Sequence, residues 1–151
     1  MIRYFLFIAL IQSFAFGQEF KLFKCPDIAL PNKVKIAQCP SKKPCSNIIN
    51  GKDATITGIF EFNINHKTSK LPITANVKRA NGKSEIIALP FGDACNSVVK
   101  TKCPLKPGAH KIKLPLRVKD VKRGEKLTVS VTIRDNKNKP IVCAAVELTA
   151  K

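Results

Sequence analysis

The sequence has no Trp, one Tyr (Tyr4) and one Met (Met1) among 151 residues. Histidine is scarce too, with only His66 and His110. Acids are few, since 10 Asp+Glu face 27 Lys+Arg, for a formal net charge of +17. Each shortage excludes something. Binders of single-stranded nucleic acid combine positive charge with exposed aromatic rings for base stacking, and the rings are missing here. Two histidines, and close cysteine pairs spaced C-x5-C and C-x7-C rather than C-x2-C, argue against a zinc site, so no metal ligands are assigned. No glycine-rich phosphate loop occurs. His66 sits in a polar, turn-like stretch and His110 opens a basic strand; neither has a neighbouring nucleophile or orienting carboxylate. Glu61, Glu85 and Glu147 are scattered over separate strands, and Asp93 belongs to a Phe-Gly-Asp-Ala-Cys turn where capping is its natural role. Catalytic residues, an enzymatic activity and cofactors are therefore not expected. There is no Asn-x-Ser/Thr sequon for N-glycosylation and no amphipathic helix of three turns.

Long apolar runs are also lacking, except at the start. Arg3 precedes an apolar run over residues 4–11, and Ala15-Phe16-Gly17 supplies a small-residue exit. That is the layout of a secretory signal peptide over residues 1–17. The run is too short for the roughly 20 apolar residues of a membrane-spanning helix. One mature domain over 18–151 is expected, with no internal linker or repeat. Removing the leader deletes Arg3 from the 27 cations and none of the 10 acids, leaving +16. It also removes Tyr4, so Phe20, Phe23, Phe60, Phe62 and Phe91 are the only mature aromatics besides histidine.

Cysteine is plentiful by contrast: Cys25, Cys39, Cys45, Cys95, Cys103 and Cys143 all follow the leader. An even count behind a signal peptide reads as a disulfide framework. Six cysteines allow 15 pairings, and the sequence alone does not choose among them. Short polar loops favour Cys39–Cys45 and Cys95–Cys103, which leaves Cys25–Cys143.

Two-residue alternation recurs along the chain. Residues 110–119 put Ile112, Leu114, Leu116 and Val118 on one face and Lys111, Lys113, Pro115, Arg117 and Lys119 on the other. Residues 126–134 alternate Leu127, Val129, Val131 and Ile133 with hydroxyl residues. Residues 54–65 present Ile56, Phe60, Phe62 and Ile64, and a fourth set is Leu71, Ile73, Ala75 and Val77. This is strand periodicity with one buried face. Asn50-Gly51, Asn81-Gly82, Pro107-Gly108, Arg123-Gly124 and residues 135–140 punctuate it. Pro115 calls for an edge strand or a bulge. The fold class is all-β, a two-sheet sandwich of about seven or eight strands. From composition alone the inner faces read as an ordinary packed core, in preference to an apolar pocket between sheets that do not fully close. The charge reads as a solubilising coat or as attraction to lipid headgroups, glycans or nucleic acid.

The cysteine pattern adds to this reading. A lone Cys follows a short N-terminal strand. Then come Cys-Pro-Ser-Lys-Lys-Pro-Cys, Asp-Ala-Cys, Lys-Cys-Pro-Leu, an Asp-Asn-Lys-Asn turn at residues 135–138, and a last Cys in the final strand. Over residues 19–149 this resembles the ML-domain lipid-recognition family, which includes a lysosomal sterol carrier and the mite group 2 allergens. The resemblance implies an immunoglobulin-like β-sandwich with pairs Cys25–Cys143, Cys39–Cys45 and Cys95–Cys103. It implies an apolar ligand between the sheets: a sterol, a fatty acid or another lipid. Carried over residue by residue, it assigns the ligand face to Ile36, Ile56, Phe60, Phe62, Ile87, Val118 and Val131. The inward positions Ile73, Leu89, Leu116, Val129 and Ile133 complete the expected lining. Ile87 and Val131 stand where the sterol carrier has aromatics, and Val121-Lys122 replaces an aromatic gate, so cholesterol is not implied. Lys119 and Lys122 are candidates for a place at the mouth, facing an acidic headgroup or an anionic membrane, against the plainer reading of solvated surface charge. The expectation is a secreted or lysosomal monomeric lipid carrier with no nucleic-acid partner. Recognition of microbial lipid of the lipopolysaccharide type, an allergen-like role, and a cationic protein without ligand are the alternatives.

Overall fold

The computed structural model describes residues 20–40, 45, 48–90, 93–95 and 102–151. The expected leader over 1–17 lies outside the described residues. The described residues form nine strands: β1 (Phe20–Lys24), β2 (Lys33–Ile36), β3 (Ile49–Asn50), β4 (Asp53–Ile64), β5 (Ile73–Arg79), β6 (Ser84–Ile86), β7 (Gly108–Val118), β8 (Lys126–Arg134) and β9 (Pro140–Thr149). No helix occurs among the described residues. The count exceeds the seven or eight expected because β3 and β6 have only two and three residues, too few to display a period.

The strands make two antiparallel sheets. One has five strands in the order β1-β9-β8-β5-β6. The other has four, with β4 central, β2 and β3 along one side and β7 along the other. Alternation fixes the register, because a one-residue slip would turn every apolar side chain to water. Across the five-stranded sheet Ile73, Ile133 and Val142 form one inward row, and Val77, Val129 and Val146 another. Across the other sheet Ile56 stands opposite Leu116, and Phe60 stands between Val34 and Ile112. These rows meet in a single apolar core to which both sheets contribute.

The turns follow their residue chemistry. Gly82 has φ 86°, and the Asn81 side chain accepts a hydrogen bond from the Lys83 N–H at 2.9 Å, closing the β5–β6 hairpin. Pro115 has no N–H to donate and lies on β7, whose only strand partner among the described residues is β4. The disulfides are Cys25–Cys143, Cys39–Cys45 and Cys95–Cys103, with sequence separations of 118, 6 and 8. Asp93 Oδ1 accepts from the Leu71 and Cys95 N–H groups at 2.7 and 2.9 Å, the capping its turn called for.

The β8–β9 turn is organised by Asp135, whose side chain is 2% exposed. It accepts from the Lys137 and Lys139 N–H groups at 2.8 and 2.9 Å, and from His66 Nε2 at 2.9 Å. Burial pushes its carboxyl up, but the two backbone donors and His66 outweigh that and hold it below the usual 3.8. Asp135→Ala leaves two N–H groups without their acceptor, so a loss of about 2–3 kcal/mol is expected in urea denaturation. The lowered pKa fixes the pH sign. The ionisation-linked part of this contribution is complete above the ordinary carboxylate range and is lost as pH falls through the lowered native value. The stability gap between wild type and variant should therefore narrow only below about pH 4. A gap unchanged down to pH 2 would show that the charge on Asp135 does not stabilise the turn.

Candidate ligand-binding site

Both sheets leave one long side of the sandwich open. β6 ends the five-stranded sheet and β7 ends the four-stranded sheet. Between these two edges lies a cavity of about 260 Å3, lined by Val77, Glu85, Ile86, Ile87, Ala88, Arg117, Val118 and Lys119. Val77, Ile87 and Val118 are buried and give it an apolar floor. Ile86, 83% exposed, stands at the outer lip as the most exposed large apolar side chain of the described chain. Its position follows from pairing: Ile86 is opposite Asn76, on the outward side of β5, whereas Glu85 is opposite the inward Val77.

The polar rim is a network, not a set of independent charges. Arg79 donates to Glu85 at 3.3 Å and to Glu125 at 3.0 Å. It also donates to the carbonyls of Lys119 and Asp120 at 2.5 and 3.3 Å, so it ties β5 of one sheet to the end of β7 in the other. Arg117 donates to Asp53 at 2.8 Å. The Arg117 guanidinium, then the Asp120 N–H, hold Asp53 below its ordinary value, and the Arg79 hydrogen bond does the same for Glu85. A second, shallower depression adjoins the first, lined by Arg79, Asn81, Lys83, Glu85, Lys119, Asp120, Lys122 and Glu125. Its four cations face three acids, so the mouth is close to charge balance even though the chain is strongly basic.

The residues inside the sandwich are closely packed. Ile36, Ile56, Phe60, Phe62, Ile73, Leu116, Val129, Val131 and Ile133 are all buried in the common core. Gly58 shows how tight the contact is: a Cβ built there would lie 2.7 Å from the Phe60 ring, which folds back over it. Among the described residues, no group of three or more His, Cys, Asp or Glu side chains is placed to hold a metal ion.

A family model described as the ML domain matches residues 19–150. The chain belongs to the ML-domain family. Membership in this lipid-recognition family makes it a lipid-binding protein in general terms. The solved structure of a Niemann-Pick type C2 protein from the Japanese carpenter ant is similar to it, with a TM-score of 0.66 at 18% sequence identity. That match covers 87% of this chain and 99% of the ant chain, a likeness of fold. The curated protein sequences contain no match.

In this ML domain, the cavity wall includes two of the twelve residues expected to line a ligand site, Ile87 and Val118. Leu89 is partly buried beside the core, and the other nine lie within it. Lys119 borders the cavity and Lys122 only the outer depression. Val77, Glu85, Ile86, Ala88 and Arg117 were not singled out in the sequence. Val77 and Arg117 carried the alternation but nothing to distinguish them from their neighbours. Residues 84–88 carry no alternation, and their role depends on which strand edges remain unpaired.

Proposed function

We propose that this ML-domain chain is a secreted, non-catalytic carrier that takes the apolar part of a sterol, fatty acid or similar lipid through the open β6–β7 side. The observation that carries this reading is the apolar-floored cavity between two sheet edges that have no further strand partner among the described residues, continuous with a core contributed by both sheets. The leader pattern over residues 1–17 and the three disulfides support secretion. Arg79, Glu85 and Glu125 are bound to one another and Arg117 to Asp53, which suits a polar collar better than a reaction centre.

Size and charge shape the expected ligand preference. At about 260 Å3 the cavity is just under the ~300 Å3 at which small-molecule pockets begin. A single alkyl chain fits this space by entering end-on; a sterol requires the core side chains around Val118 and Phe60 to move apart. Each methylene removed from water contributes about 0.8 kcal/mol, or roughly fourfold in affinity. Affinity for a homologous series of fatty acids should rise by that factor per methylene and then flatten once the cavity is filled. Because the rim is charge-balanced, a fatty alcohol should bind within about tenfold of the matching acid, and raising salt from 0.05 to 0.5 M should change uptake little. Titration with the series, with native mass spectrometry of the purified protein for resident lipid, measures all of this. A protein that is empty as purified and takes up neither fluorescent fatty acid nor sterol would overturn the carrier function.

A further inference from the structure

Part of the charge that the mouth does not use is concentrated on the outer face of the four-stranded sheet. On β7 the outward residues Lys111, Lys113, Pro115 and Arg117 are all exposed, and on β2 so are Lys33 and Lys35. The register joins them into two rows across β4. Lys33, Glu61 and Lys111 form one row, and Lys35, Ile59 and Lys113 the next. Strand geometry sets the spacing: about 7 Å between successive outward residues on a strand, and about 10 Å from β2 to β7. Four lysines thus border a small patch in which Glu61 is the only acid. Glu61 pairs with Lys111 at 3.7 Å; Lys33, Lys35 and Lys113 have no ion pair among the described residues. Arg117, with Asp53 beside it, continues the stripe toward the mouth.

We propose that this outer face is a docking surface for a linear sulfated polysaccharide, independent of the lipid cavity. Charge complementarity carries the proposal. Sulfates stay ionised at any physiological pH, and a stripe running along one edge strand offers a linear polyanion repeated contacts. The chemistry of the face separates this partner from two others. It holds no aromatic ring on which a base could stack, unlike surfaces that bind single-stranded nucleic acid. Among the described residues it also offers no large exposed apolar side chain to enter a bilayer: Pro115 is small, Ile59 is half-buried between flanking lysines, and Leu22, Phe23 and Ile86, the large apolar residues that are exposed, belong to the other sheet. The positive charge on the five-stranded sheet is more dispersed. Its row Lys78, Thr128, Glu147 and Lys21 spreads two lysines over four strands with an acid between them.

The test is heparin binding by the full chain and by two triple variants of equal charge. One is Lys35→Thr/Lys111→Thr/Lys113→Thr on the proposed face. The other is Lys21→Thr/Lys78→Thr/Lys137→Thr elsewhere. Threonine keeps strand propensity at the exposed strand positions. If each lost contact releases the counterions typical of a polyanion, the slope of log K against log salt should fall by about 2–3 for the first variant. At 0.15 M salt that is about 40- to 300-fold weaker binding. The second variant should lose only a few-fold, and both should take up fluorescent fatty acid as wild type does, which separates this outcome from the fate of the carrier function. Equal losses in the two variants would reduce the face to generic net charge and overturn the proposal. So would a wild type that leaves a heparin column below 0.15 M salt. An equally strong, face-dependent affinity for single-stranded DNA, or for phosphatidylserine vesicles in place of heparin, would assign the surface to those partners instead.

Discussion

Replacing both Cys25 and Cys143 by alanine is expected to lower the unfolding free energy by about 5 kcal/mol and the melting temperature by about 15 °C or more. The pair closes 118 residues, and the entropy it removes from the unfolded chain grows with the logarithm of that length. The same relation gives only about 2–2.5 kcal/mol each for Cys39–Cys45 and Cys95–Cys103, which close 6 and 8 residues. Placement adds a functional side. Cys143 lies on β9, near the β1 end of the five-stranded sheet, and the cavity lies at the β6 end. The long staple therefore secures the side of the sandwich away from the mouth and leaves β6 and β7 untied by any covalent bond in the described structure. Fatty acid uptake by the double variant, measured well below its melting temperature, should stay near wild type. Equal destabilisation by all three cysteine-pair variants would refute the loop-closure account; loss of uptake in the folded Cys25/Cys143 variant would refute the separation of staple from mouth.

Much of the shell was legible in the sequence because one physical rule generated it. In β7 and β8, every second residue is apolar from Ile112 to Val118 and from Leu127 to Ile133, and those are the buried positions. Where both faces are covered the rule fails. In β9, Val142, Ala144, Val146 and Leu148 point inward, but the outward Cys143 and Ala145 are also apolar or disulfide-bonded, so no alternation shows. β1 escapes for the opposite reason: only Phe20 is buried, and Leu22 and Phe23 are each 44% exposed.

The site was less legible than the shell. Inward-facing is a property of one residue and its strand, whereas cavity-lining depends on how two sheets sit together. Phe60 and Val118 look alike in the sequence, both apolar at inward positions. The structure lays Phe60 over Gly58 in the packed interior and puts Val118 at the cavity floor, next in the chain to the network that bridges the sheets. Arg79 illustrates the same limit. It stands at the end of β5 opposite Leu127, beyond the alternating set that ends at Val77, and its bonds to Glu85, Glu125 and the β7 end join segments up to 46 residues apart.

Val118→Glu tests the cavity most directly, and it should abolish uptake of a fatty acid probe, with affinity falling by 100-fold or more. Val118 is 2% exposed and ends β7 opposite Ala54, with Ile87 and Val77 across the cavity. A carboxylate there gives up its hydration for little return, because Arg117 is bound to Asp53, Arg79 to Glu85 and Glu125, and Lys119, the remaining cation of the lining, is exposed to solvent. Several kcal/mol of that cost is avoided when the new carboxyl takes a proton, so its pKa should be raised. Binding should therefore recover partly as pH falls through that raised value, in contrast to wild type, where no cavity carboxylate needs neutralising. The fold itself bears part of the penalty, which a second variant separates. Val118→Thr is nearly isosteric and adds one hydroxyl to the same wall, at a cost of about 1–3 kcal/mol to stability when unpaired. It should remain folded and still weaken uptake by about tenfold. Wild-type affinity in a folded Val118→Thr protein, together with pH-independent uptake by Val118→Glu, would remove Val118 from the ligand path and move the site deeper, among the core residues around Phe60.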